Sequence, residues 1–86
     1  MYAVELLDEA LSAAGQAGYC IRQEWLGGQG GGACELAGRR YVFVDLALTP
    51  AEQLQSLVEA LRLDPATARL PLSPALRRLV GLRKSA

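Results

Sequence analysis

Leu26-Gly27-Gly28-Gln29-Gly30-Gly31-Gly32-Ala33-Cys34 packs five glycines into six residues, between two segments that alternate as strands do. Glycine loses more conformational freedom on folding than any other residue, so such a cluster weakens a regular element that contains it. The stretch is therefore either a mobile connector or a place where the backbone must approach something closely. Read as the tip between two hairpin strands, it dictates an antiparallel sheet. Read as a phosphate cradle, it gives a ligand site. It lacks the Lys-Ser/Thr that closes a P-loop, and a strand follows it, so no helix dipole would favour an anion there. The hairpin tip is the stronger reading.

Working outward, Tyr19, Ile21 and Trp25 alternate with Arg22 and Glu24, as in a strand with one wet face. Ala33-Cys34-Glu35-Leu36 makes a second strand with Cys34 and Leu36 on one face. Gly38-Arg39 turns the chain into Arg40-Tyr41-Val42-Phe43-Val44-Asp45-Leu46. Both alternating sets of this third strand are largely apolar, the pattern of a strand covered on both sides. Upstream, Val4, Leu7, Leu11 and Ala14 recur at helical spacing over residues 2–16, with Gly18 as a left-handed cap. Downstream, Thr49-Pro50-Ala51-Glu52 is a capping box with proline in the first turn. Leu54, Leu57, Val58 and Leu61 then form one stripe as far as Arg62. Asp64-Pro65 opens a single short turn. Ser73-Pro74 opens a helix through Leu82, with Leu76, Leu79 and Val80 inward and Arg77, Arg78, Arg83 and Lys84 on the flank or in the last turn. The expected fold is α+β in the order α-β-β-β-α-α, a three-stranded antiparallel meander packed against helices.

With 86 residues there is room for one domain, 1–86, whose carboxyl-terminal part from about residue 64 is helical and basic. A hydrophobic fraction of 51% implies a folded core, and a domain this short gains from dimerisation. No apolar run approaches the ~20 residues of a membrane span. The acidic amino end (Glu5, Asp8, Glu9) is unlike a secretory signal, so the expected location is cytoplasmic. Histidine is absent, which removes Ser-His-Asp and Cys-His chemistry. The two cysteines, Cys20 and Cys34, are too few for a four-ligand zinc site. They are expected as reduced thiols, since a hairpin register holds their alpha carbons beyond the ~7 Å a disulfide allows. No metal or cofactor is expected. Residues 1–61 hold eight acids and three bases, whereas 62–86 hold six bases and Asp64. A basic tail without aromatics argues against nucleic acid and for docking onto its own body or a neighbouring copy.

Candidate contact residues follow from these features. If the glycine run touches a ligand, Gly28, Gly30, Gly31, Gly32 and Cys34 would do so, with Arg39, Arg40 or Arg22 nearby. Against that, Cys34 has no neighbouring cation in sequence to favour a thiolate and reads as a small buried hydrophobe. The spacing of Glu24, Glu35, Asp45 and Glu52 forces no catalytic pair. Asp45, inside an apolar strand, reads as a structural acid that bonds the start of the next helix or pairs with Arg39 or Arg40. Trp25, Tyr41, Arg77 and Arg78 are the candidates for partner contact, although Trp25 competes for a place in the core. No residue is assigned a catalytic role.

In its Gly27–Cys34 run, Gly38–Asp45 strand, Glu52-Gln53-Leu54 helix and Ser73-Pro74-Ala75-Leu76-Arg77 segment, the chain resembles a group of small uncharacterised bacterial proteins. They share a Gly-Gly-x-Cys hairpin, a hydrophobic strand, a Leu-x-x-Ala-Leu helix and a closing Pro-Ala-Leu-Arg. That resemblance implies one intact domain and carries no activity. The strand, Asp45 and the helix from Thr49 are also similar to the core of the ImmA/IrrE-like metallopeptidases. Where that family places His-Glu-x-x-His, this chain has Glu59-Ala60-Leu61-Arg62-Leu63, which implies a scaffold without zinc chemistry. The function expected is a small non-catalytic interaction module, either self-associating or docking on a larger bacterial protein. The alternative is a small-ligand or anion binder built on the Gly27–Gly32 loop.

Overall fold

A computed structural model describes residues 2–81. Helix α1 (Tyr2–Gln16) is followed by strands β1 (Cys20–Glu24), β2 (Gly32–Leu36) and β3 (Arg39–Asp45). Helix α2 (Pro50–Arg62), a 3-10 turn (Pro65–Arg69) and helix α3 (Pro74–Val80) complete it. The expected order of elements is the observed one. The expected extension of the last helix to Leu82, and the placing of Arg83 and Lys84, lie outside the described residues.

The helices begin and end where local chemistry stops them. At the end of α1, Gly18 takes φ +98°, Gly18 N–H donates to Gly15 O and Tyr19 N–H donates to Ala14 O, a Schellman closure. Helix α2 has the full capping box: Glu52 N–H donates to Thr49 Oγ1, and Thr49 N–H donates to Glu52 Oε1 at 2.9 Å. Helix α3 is tied down at both ends from outside itself. Ser73 N–H and Oγ donate to the two Glu9 carboxylate oxygens at 2.7 Å, and Arg62 donates to the carbonyls of Val80 and Leu79 at 3.1 and 3.0 Å. Arg62 thereby supplies positive charge to the carbonyl end of a helix dipole.

The sheet is mixed, which corrects the expected meander. Its order is β1-β3-β2, with β2 antiparallel to β3 and β1 parallel to it. The β2–β3 hairpin turns through Ala37 and Gly38, at φ +52° and +79°. Positive φ at both central residues is the twist-matched two-residue turn. The glycine stretch is therefore not a hairpin tip. It carries the chain from one edge strand across the end of β3 to the other edge.

All helices lie on one side of the sheet. Val42 and Val44 of β3 point into the core with Leu57, Leu61, Leu76 and Val80, and all six are at most 1% exposed. Thr67, also buried, donates its hydroxyl to Leu61 O at 2.8 Å. Coverage of β3 on both faces is not found. Tyr41 and Phe43, pointing the other way, are only half-buried because no element among the described residues lies over them.

Candidate functional site

Asp45 is the first unusual group, a carboxylate with no exposed surface at the end of the central strand. Its Oδ1 accepts from Leu26 N–H and Ala47 N–H, and its Oδ2 from Gly30 N–H, each at 2.9 Å. Burial works against the ionised form, but these N–H groups and that of Gly28 outweigh it and hold Asp45 below the ordinary carboxylate range. Arg39 and Arg40 take no part. Asp45 is thus a structural acid, as expected, but its partners are backbone amides of the glycine stretch and of the turn before α2.

This arrangement explains the glycines. A cradle of converging amides is what binds phosphate elsewhere, and here the chain's own carboxylate fills it. Gly31 makes the closest approach. A Cβ there would lie 1.7 Å from Phe43 O, so no larger residue fits without moving the strand. Leu46 N–H donates to Glu24 O at 2.9 Å, extending the parallel ladder past Asp45.

The residues grouped for ligand contact are brought together only in part: Cys34 and Arg40 line one shallow pocket with Tyr19, Ala33 and Glu35, and the glycines of the group lie apart from it. Gly28, Gly30 and Gly31 sit at the Asp45 end of β3, and Gly32 opposite Phe43. Arg39 and Arg40 begin that strand, about 20 Å away at ~3.3 Å per residue. Arg40 is a structural clamp: its guanidinium lies 4.2 Å from the centre of the Tyr19 ring, donates to Ala17 O and pairs with Asp64. Asp64 in turn accepts from Ala66 N–H at 2.9 Å and caps the 3-10 turn.

The open sheet face is the second feature. Alternation puts Cys20, Arg22 and Glu24 of β1, Tyr41 and Phe43 of β3, and Cys34 and Leu36 of β2 on it. The Tyr41 and Phe43 rings stack with centroids 6.0 Å apart. Cys20 and Cys34 both stand opposite Tyr41, one on each side. Two strand spacings of ~4.8 Å separate them, so they are free thiols held apart by the central strand. Cys34 is exposed, which corrects its reading as a buried hydrophobe. Leu36 is 56% exposed, and Trp25, just past β1, is 75% exposed, which corrects its reading as a core residue. In sequence β3 reads as covered on both faces, with Tyr41 alone singled out for contact; Phe43, two residues on, faces the same way. The strand register then puts Leu36 on that face as well.

Arg77 and Arg78 lie elsewhere. Arg77 is half-buried and donates to Leu70 O at 3.4 Å. Arg78 borders an apolar groove of about 490 Å³ between α1, α2 and α3, lined by Tyr2, Leu6, Leu54, Ala75 and Leu79. Among the described residues no group of His, Cys, Asp or Glu side chains is placed to hold a metal ion, and no helix is long and apolar enough to cross a membrane. Comparison with protein families, curated proteins and solved structures finds no match to this chain.

Proposed function

We infer that this chain is a non-catalytic interaction module whose working surface is the open face of the sheet. The observation that carries this is the aromatic pair Tyr41 and Phe43 at the centre of a face that no element among the described residues covers, with Leu36 exposed on it. Central aromatics with a charged border are the anatomy of a contact surface. The acid best placed for chemistry, Asp45, already has its oxygens engaged by backbone amides. Two amides of the glycine stretch, those of Leu26 and Gly30, are engaged by that acid.

A thermal-shift screen of nucleotides, phosphorylated metabolites and simple anions separates this reading from the ligand-binding one. No stabilisation is expected from any of them. A compound present at 100 times its dissociation constant would add about 2.7 kcal/mol. Such an effect, abolished by Gly28→Ala in a folded protein, would replace the interaction reading with a ligand site.

A further inference from the structure

We propose that the outer edge of β2 pairs antiparallel with the same edge of a second copy of this chain, about a two-fold axis perpendicular to the sheet at Cys34. The pairing concerns the edge of the sheet and does not depend on what meets its open face.

Backbone parity exposes the edge. Leu36 and Arg39 flank the two-residue turn and exchange both of their hydrogen bonds, and Cys34 with Tyr41 and Gly32 with Phe43 repeat that pairing at every second residue. The N–H and C=O groups of Ala33 and Glu35 therefore point away from β3, and no other described residue bonds them. Ala33, Cys34, Glu35 and Leu36 are all exposed. Such an edge is a template for another strand.

Register and charge select the occupant. Cys34 is the middle residue of the five in β2. An axis there overlaps the two strands along their whole length. Ala33 then meets Glu35 of the partner subunit and Glu35 meets the partner's Ala33, as hydrogen-bonded pairs made by the outward groups. An axis at Ala33 or Glu35 leaves only three residues of each strand paired, and the latter sets Glu35 on its like. Isologous contacts require self-complementarity, and β2 has it in the full-length register. The opposite edge of the sheet lacks it. Glu24 O accepts from Leu46 N–H on the β3 side, so Ile21 and Gln23 carry the outward groups of β1. Its middle residue is Arg22, which the same operation would lay on Arg22 of the partner subunit. Charge of this kind is the usual guard of an exposed edge. The single charge of β2, Glu35, faces an alanine instead.

The axis also places the thiols. Cys34 and its copy form the central non-hydrogen-bonded pair, with alpha carbons about 4.5 Å apart, inside the roughly 4.4–6.8 Å range of a disulfide. Both side chains stand on the same face of the joined sheet, and Cys20 lies two strands farther from the axis. Five residues make an edge of only about 17 Å, so the dimer is weak and concentration-dependent.

Sedimentation of the full chain with its thiols reduced, between about 10 μM and about 1 mM, tests the pairing. The wild type should pass reversibly from 9.2 kDa toward twice that mass. Glu35→Pro removes an outward N–H that β3 does not use, so it should keep its circular dichroism and weaken association at least tenfold. Ala33→Lys sets a cation opposite Glu35 of the partner subunit and should tighten association at least twofold, which decides the matter if the proline variant does not fold. Oxidised glutathione reads the register. One Cys34 thiolate attacks that disulfide and releases a glutathione thiol, and the partner's Cys34 then displaces the second. Two cysteine thiols are oxidised and one glutathione disulfide is reduced to two thiols. Covalent dimer should form in the wild type and in Cys20→Ser, and not in Cys34→Ser. Moving the only thiol to position 36 (Leu36→Cys with Cys20→Ser and Cys34→Ser) should cut its formation at least tenfold, since residue 36 lies about 13 Å along the strand from its own copy. A wild type that stays monomeric at about 1 mM overturns the proposal and leaves the edge to a strand of another protein. Undiminished association of a folded Glu35→Pro overturns it too, as does Ala33→Lys without tightening. Cross-linking through position 36 or Cys20 as fast as through Cys34 would mark random collision of exposed thiols and overturn the register.

Discussion

Gly31 and Gly15 are the same residue under opposite constraints. A methyl group at Gly31 would fall within 1.7 Å of the Phe43 carbonyl oxygen, whereas one at Gly15 meets nothing within 4 Å and sits in α1. Gly31→Ala should therefore cost at least the roughly 1–3 kcal/mol of an overpacked site. Gly15→Ala should add up to about 1 kcal/mol by restoring helix propensity. Urea denaturation of the pair measures both. Asp45 makes a prediction in pH. Its folded pKa is depressed, so its contribution is fully present above the unfolded value of about 3.9 and is lost as pH falls through the folded value. Asp45→Asn keeps one acceptor and turns an amide donor toward backbone N–H groups. The variant should be less stable at pH 7, and its stability should fall less steeply than that of wild type between about pH 4 and pH 2. Ala37, at φ +52° in the hairpin turn, carries the cost of a left-handed residue with a Cβ. Ala37→Asn should raise stability by about 0.5–1 kcal/mol, read from the same denaturation curves.

At the scale of elements, the helices were legible and the sheet was only half so. Thr49-Pro50 with Glu52, Asp64-Pro65 and Ser73-Pro74 each act on amides within three residues, so sequence spacing alone locates the starts of α2, the 3-10 turn and α3. Strand alternation is equally local. It distinguishes faces but is silent on whether a neighbour runs parallel, which depends on where seven residues, Trp25 to Gly31, take the chain. That length was the available clue, since hairpin loops hold two to five residues. Asp45 was visible as an odd acid in an apolar strand, and its bond from Ala47 N–H is the local two-residue kind, but Leu26 and Gly30 lie 19 and 15 residues upstream, where no spacing rule reaches. The same non-locality governs α3, a seven-residue helix too short to persist by itself. Ser73→Ala removes its N-cap hydroxyl and one of the two hydrogen bonds to Glu9. It should cost about 1–2 kcal/mol and raise amide exchange in residues 75–80 above that of α2.

At the scale of the molecule, two layers share one apolar seam while the far side of the sheet stays open. The two halves of the sheet differ in how far apart their strands lie in sequence. The β2–β3 hairpin closes through two residues, whereas β1 pairs with β3 only after the chain has crossed β3's end. Short-range contacts form at lower entropic cost. Ala37→Asn should therefore speed folding, and Asp45→Asn should chiefly speed unfolding, as separate limbs of a chevron plot.

Placing the last-made strand in the middle has a consequence for biosynthesis. A ribosome releases β1 and β2 before the strand that lies between them exists, so neither has its native partner until then. A nascent chain that stops before Arg39 owns two strands and no sheet. Residues 39–45 are the keystone that gives both of those orphan strands a partner, β2 through a two-residue turn and β1 from the far side.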